Sequence, residues 1–157
     1  MFWYSWQMSP TLFRVSIAAF LATLAPLAVQ ASGPILTFVP ETRTSVTLAP
    51  NGIASVRYQV TNQSVVTRTW AMQPIPGVSQ STSVPGACPG PFALAYHQSC
   101  LLDLQLDAAL IDSGGVHDGP VVCVQGSTIE CAQPSLADRL DVVIVADAIF
   151  IDDFESL

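Results

Sequence analysis

Apolar and polar residues alternate one by one in several stretches of the chain, which is the pattern of half-buried β-strands. The alternation is clearest in residues 53–61. The predicted inner face of this strand carries Ala54, Val56, Tyr58 and Val60. The opposite face carries Ser55, Arg57 and Gln59. Since the inner face is wholly apolar, this strand is expected to pack on the core.

Other stretches repeat the pattern and stop at turn residues such as the Pro50-Asn51-Gly52 triplet. They are residues 35–39, 44–48, 67–73, 100–106, 120–125, 129–133 and 140–145. Seven to nine short strands without a convincing helical period predict an all-β fold built as an antiparallel sandwich. A small β-barrel is the alternative.

Side-chain directions follow from the same alternation. Trp70 shares a face with Met72, so it is expected in the core. In residues 100–106 the leucines at even positions point inward, which places Asp103 on the outer face. A hairpin is predicted around Gly126.

Two stretches lack the alternation. Residues 74–91 hold five prolines and three glycines and are predicted to form an irregular crossover loop. Residues 107–119 form a second predicted loop, with one helical turn near Ala109.

The start of the chain is typical of an export signal. An apolar stretch over 15–29 follows Arg14 and ends in small residues at Ala31. We therefore predict a signal helix over 1–31, removed on export, with translation starting at Met1 or Met8. An uncleaved membrane helix is disfavoured because the stretch is short and contains Pro26. A β-domain over 32–146 and an acidic tail over 147–157 complete the prediction.

The charge excludes some partners. The chain has 12 acidic and 5 basic residues, a net charge of −7, and no lysine. Nucleic acid needs a basic surface to neutralise phosphates, so it is excluded as a partner. Anionic lipid surfaces are disfavoured for the same reason. The predicted location is secreted or periplasmic, with no membrane span after signal removal.

The four cysteines are expected to form two disulfides, because an oxidising compartment follows from the export signal. Four cysteines allow three pairings. Cys123–Cys131 is favoured because these residues bracket the Gly126 hairpin, and Cys88–Cys100 then remains. Zinc binding with a histidine is disfavoured by the lack of a C-x-x-C pair. No metal or other cofactor is predicted.

Possible catalytic residues are few. Ser113, His117 and Asp118 lie too close together in one loop for a hydrolase triad, and His97 lies in a turn. Asp112 and the acidic tail could offer oxygens to calcium, but without the spacing of an EF-hand. Residues 62–64 match an N-glycosylation sequon. We therefore predict no catalytic residues and no enzyme activity.

Several motifs together resemble the exported immunoglobulin-like domains of bacteria, distant relatives of the hydin and major-sperm-protein type of sandwich. The motifs are VRYQVTNQS (56–64), QPIPGV (73–78), PFAL (91–94), QSC (98–100), GPVVC (119–123) and CAQP (131–134), with Cys88. The resemblance covers about residues 35–145 and implies an immunoglobulin-like sandwich outside the cytoplasm, without catalytic residues. Residues 149–155 resemble a short tail of some exported bacterial proteins, with Asp153 in place of a glycine.

The expected function is that of a secreted or periplasmic binding module whose ligand is unknown. Its partner would be an envelope or extracellular protein or a glycan. The loops 74–91 and 107–119 would present the binding surface. Candidate residues in or beside these loops are Phe92, His97 and His117. The alternatives are a structural or calcium-dependent envelope protein and a small exported hydrolase.

Overall fold

The computed structural model describes residues 33–145, and these contain ten strands and no α-helix. The strands are β1 (Leu36–Pro40), β2 (Ser45–Leu48), β3 (Ile53–Asn62), β4 (Arg68–Met72), β5 (Val78–Ser81), β6 (Phe92–Leu94), β7 (Ser99–Asp107), β8 (Val122–Val124), β9 (Cys131–Ala132) and β10 (Asp141–Ile144). A single 3-10 turn, Leu136–Asp138, precedes β10 within this part of the chain. The all-β prediction is confirmed.

One antiparallel sheet has the strand order β1-β3-β7-β5. Its centre is the long pairing of β3 with β7, where Val56 lies opposite Leu104 and Tyr58 opposite Leu102. All four of these side chains are fully buried. The alternation read from residues 53–61 therefore gives the correct inner face.

A second sheet has the order β6-β4-β8-β9, and β2 and β10 form a separate parallel pair. Trp70 of β4, Val122 of β8 and Val142 of β10 join the buried residues of the first sheet in one apolar cluster. Sheets that share one apolar layer form a sandwich-like arrangement. The parallel β2–β10 pair departs from the expectation of purely antiparallel pairing.

Both predicted disulfides are present, and they use all four cysteines. Cys123 and Cys131 lie directly opposite each other in the β8–β9 hairpin. Cys88 lies beside β7, where its N–H donates to the Leu101 carbonyl (2.8 Å), and this contact brings it to Cys100. Disulfides of this kind are typical of proteins from oxidising compartments outside the cytoplasm.

The prediction of an irregular loop over 74–91 is wrong for its middle part. Residues 78–81 form β5, which pairs with the edge of β7. Only one of its residues, Val78, is buried, so its side chains gave no alternating signal. The structure also contains β6, which was not predicted, so the described strands number ten rather than seven to nine.

The β7–β8 connection contains a tight turn at residues 108–110 rather than a helix.

Asp103 lies on the outer face as predicted, yet it is only 3% exposed. Its carboxylate is covered by Arg57, directly opposite on β3, whose Nε donates to it at 2.8 Å.

No helix within residues 33–145 is long and apolar enough to cross a membrane. The predicted signal helix and the predicted acidic tail lie outside the described residues.

Candidate functional site

The two predicted binding loops meet at one end of the sandwich and enclose a cleft of about 270 Å³. The β4–β5 turn supplies one wall and the β7–β8 connection supplies the other. The lining residues are Ile75, Pro76, Ile111, Asp112, Gly115, Val116, His117, Asp118, Gly119 and Val121. Five of these ten are aliphatic or proline, so the cleft offers an apolar surface with polar groups at its edge.

The first wall is a tight turn that the sequence encodes directly. In Ile75-Pro76-Gly77-Val78, the Val78 N–H donates to the Ile75 carbonyl at 3.0 Å. Proline suits the second position of such a turn and glycine the third, where φ is positive. Gly77 has a φ of 71°. The PIPGV motif therefore builds part of the cleft.

Gly77 also allows the two walls to touch. A Cβ atom at this position would overlap the Ile111 side chain and lie 2.9 Å from the Asp107 carbonyl oxygen. At the same place, the Asp107 N–H donates a hydrogen bond to the Gly77 carbonyl at 2.8 Å. The turn and the start of the second loop are thus held in direct contact.

The second wall is attached to β10 through Val116. The N–H of Val116 donates to the Val142 carbonyl (3.0 Å), and the N–H of Val142 donates to the Val116 carbonyl (2.7 Å). Gly115 precedes this pair with a φ of 79°, and a Cβ atom there would overlap the Val142 carbonyl oxygen. Only glycine fits such a close approach without strain.

His117 is fixed at both ring nitrogens. Its Nδ1 lies 2.8 Å from Asp141 Oδ1, and its Nε2 lies 2.7 Å from the Gly114 carbonyl oxygen. Both neighbours are acceptors, so both nitrogens act as donors and the ring is favoured in its charged form. The Asp141 hydrogen bond, followed by that of Gly114, raises the pKa of His117 above its ordinary value. The same contact, with the Ser45 hydroxyl, lowers the pKa of Asp141.

This arrangement differs from a catalytic triad. Ser45 Oγ donates to Asp141 Oδ2 at 3.2 Å, so the serine contacts the carboxylate rather than the imidazole. In a triad, the histidine must keep a free nitrogen to take the proton of the nucleophile. His117 has no free nitrogen, because Nδ1 donates to Asp141 and Nε2 donates to the Gly114 carbonyl. The imidazolium of His117 is therefore a cation held in a fixed position, and not a general base.

Asp118 and Asp112 complete the edge of the cleft. Asp118 Oδ1 accepts from the Gly119 N–H (2.8 Å) and lies 3.0 Å from Arg139 Nη1. Its other oxygen accepts no hydrogen bond from residues 33–145, and neither does the Asp112 carboxylate. Among the charged side chains of the cleft lining, the polar atoms left available to a ligand are therefore the acceptor oxygens of Asp112 and Asp118.

The other two candidate residues lie away from this cleft. Phe92 belongs to β6 and is 2% exposed, so its placement in a binding loop is wrong. His97 is exposed at the opposite end of β3 and β7, stacked on Tyr96 with ring centroids 3.8 Å apart. It has a φ of 59°, which non-glycine residues adopt only rarely.

Asn62 holds that opposite end together. Its buried amide nitrogen donates to the carbonyls of Leu94 (2.9 Å) and Val66 (3.1 Å). Its Oδ1 accepts from the Ser64 N–H at 2.9 Å. A glycan on this nitrogen would displace those bonds, so the folded protein does not present the 62–64 sequon for modification.

Two further sequence interpretations concern aromatic and metal sites. Trp70 lies in the core as expected, and its side chain is fully buried. No group of three or more metal-ligating side chains occurs among the described residues.

No local pattern indicates the His117–Asp141 contact, since 24 positions separate the two residues. Comparison with known proteins adds no relative: no protein-family model matches the chain, and no curated protein matches it in sequence. The immunoglobulin-like resemblance therefore stays a prediction.

Proposed function

We propose that this chain is an exported immunoglobulin-like module, secreted or periplasmic, that acts by binding a ligand and not by catalysis. The observation that carries the proposal is the apolar cleft between the Ile75–Val78 turn and residues 111–121. Ligand sites in proteins are typically concave and mostly apolar, with a few polar groups at fixed positions.

The walls of the cleft are held in place before any ligand arrives. Hydrogen bonds tie Asp107 to Gly77 and Val116 to Val142, and His117 is tied to Asp141. A site that is already formed loses little conformational entropy on binding. Such fixed loops on a sheet scaffold are typical of binding modules.

Strand order supports the immunoglobulin-like part of the proposal. The sheet β1-β3-β7-β5 has the order of strands A, B, E and D in a constant-type immunoglobulin domain. In the same scheme β4 and β8 correspond to strands C and F, which are neighbours in the other sheet.

Export is supported by two independent features. One is the predicted signal over residues 1–31. The other is the pair of disulfides, which persist in secreted and periplasmic proteins and are rare in the cytosol.

A binding function is favoured over hydrolysis because of the hydrogen bonds of His117. General base catalysis requires a nitrogen with a free lone pair within reach of the nucleophile. Both nitrogens of His117 already donate, to Asp141 and to the Gly114 carbonyl.

The proposal is tested by screening a small-fragment library against residues 32–157 by ligand-observed NMR. Val121→Trp would fill the cleft, and Val39→Trp is the matched control because Val39 is exposed on β1, outside the cleft lining. We expect fragments that bind wild type and Val39→Trp but not Val121→Trp, with all three proteins folded by circular dichroism. Fragments that still bind Val121→Trp would show that binding occurs outside the cleft and would contradict the proposal.

A further inference from the structure

The polar atoms at the edge of the cleft indicate which chemical groups its ligand needs. His117 is the cation of the lining, but both of its nitrogens are occupied and its charge is matched by Asp141. The carboxylates of Asp112 and Asp118 keep oxygens to which no donor within residues 33–145 is bonded. A ligand that reaches these oxygens must bring hydrogen-bond donors.

The size of the cleft limits the apolar part of the ligand. Its volume of about 270 Å³ is slightly below the range of pockets for drug-sized molecules, which begins at ~300 Å³. The apolar lining comes from Ile75, Pro76, Ile111, Val116 and Val121. One short aliphatic chain or one aromatic ring suits this space.

The charge of the protein favours the same ligand class. The chain carries a net charge of −7. A surface of one sign raises the local concentration of oppositely charged small molecules. Of the three charged side chains that line the cleft, Asp118 is partly neutralised by Arg139 and His117 by Asp141. Asp112 remains without a cationic partner among the described residues.

We propose that the cleft binds a small organic cation, that is, an apolar group carrying an ammonium or guanidinium head that donates to Asp112 and Asp118. This inference rests on the proposed function, because it assigns a ligand class to the same cleft. The apolar group lies between Ile75, Ile111 and Val121, and the charged head lies at the carboxylate edge.

Three probes test the inference: hexylamine, hexanol and hexanoate. They share a six-carbon aliphatic group and differ in their head group. Each is titrated into residues 32–157 at pH 7, and binding is followed by the ¹H–¹⁵N shifts of cleft residues. We expect hexylamine to bind about three- to tenfold more tightly than hexanol, since each exposed ion pair contributes modestly. Hexanoate should bind most weakly.

Neutralising a single carboxylate tests the contact itself. Asp112→Asn should remove most of the preference for hexylamine and leave hexanol binding unchanged, because the Asp112 carboxylate forms no hydrogen bond or ion pair within residues 33–145. Asp118→Asn should act in the same direction. Glu41→Gln is the control: it changes the net charge equally, but Glu41 lies in the β1–β2 turn, outside the cleft lining.

The outcomes separate the two proposals. Equal binding of hexylamine and hexanol, or tighter binding of hexanoate, at shifted cleft residues would overturn the cation inference and leave cleft binding intact. A preference for hexylamine that Glu41→Gln removes as fully as Asp112→Asn would also overturn it. Absence of cleft shifts with every probe and every screened fragment would overturn both.

Discussion

His117 Nδ1 lies 2.8 Å from Asp141 Oδ1, and this contact joins the β7–β8 connection to the first residue of β10. Asp141 in turn accepts from the hydroxyl of Ser45, the first residue of β2. Three segments that are far apart in sequence therefore meet at one carboxylate. Because His117 also lines the cleft, the ion pair fixes part of the cleft wall.

The contribution of this pair to stability should depend on pH. The pKa of His117 is raised above 6.5, so its contribution is fully present below pH 6.5 and is lost as the pH rises through the raised value. The pKa of Asp141 is lowered below 3.8, so its contribution is present above pH 3.8 and is lost as the pH falls through the lowered value. The two conditions overlap between pH 3.8 and 6.5.

The measurement is the Tm of wild type and of His117→Gln as a function of pH. We expect the wild type to exceed the variant most within this window and the difference to shrink at higher pH. The effect should be small, since both side chains are exposed. His97→Gln is the control, because His97 forms no ion pair with a described residue. A difference for His117→Gln that is constant from pH 4 to 9 would contradict the assignment.

A second prediction concerns the buried amide of Asn62. Asn62→Asp keeps the size of the side chain but removes the donors to the Leu94 and Val66 carbonyls. A buried acceptor left without its donor costs about 1–3 kcal/mol, so the free energy of unfolding should fall by at least this amount. Urea denaturation measures the loss. Asn51→Asp, in the exposed β2–β3 turn, should be nearly neutral, and equal losses for the two variants would argue against the role given to Asn62.

Two neighbouring glycines allow a third, matched prediction. Gly115→Ala places a Cβ at positive φ and against the Val142 carbonyl, and the backbone conformation alone costs about 1–2 kcal/mol. Gly114→Ala meets no atom within 4 Å and should be neutral. Thermal unfolding of both variants gives the comparison. If Gly115→Ala is as stable as Gly114→Ala, the close attachment of the loop to β10 is wrong.

The register of β3 provides the fourth prediction. Val60 is fully buried and faces the core, whereas its neighbour Gln59 is exposed. Val60→Asp buries an unpaired charge, which costs several kcal/mol, and should prevent folding. Gln59→Asp should fold normally. The yield of protein with dispersed NMR signals distinguishes them, and similar yields would mean that the inner and outer faces are reversed.

Much of this core could be predicted from local sequence. The inner face of β3 and the burial of Trp70 follow from period-two alternation, since strand side chains point to opposite faces in turn. The Cys123–Cys131 pairing follows from a hairpin whose turn is marked by Gly126. In each case the signal lies within a few residues of the structure it specifies.

Other parts depend on distant partners and could not be predicted in the same way. β5 exists because its backbone pairs with the edge of β7, while its side chains are mostly polar. The Arg57–Asp103 and His117–Asp141 pairs require knowledge of strand register and of the parallel β2–β10 pairing. No local pattern encodes either.

A ligand bound between the Ile75–Val78 turn and residues 111–121 would lie against the methyl groups that line this cleft. The most direct test is methyl NMR of isoleucine and valine side chains in residues 32–157 during titration with a fragment that binds. We expect saturable shifts at Ile75, Ile111 and Val121, with Val65 and Val66 at the opposite end unchanged. Shifts centred on Val65 and Val66, with the cleft methyls unmoved, would contradict it.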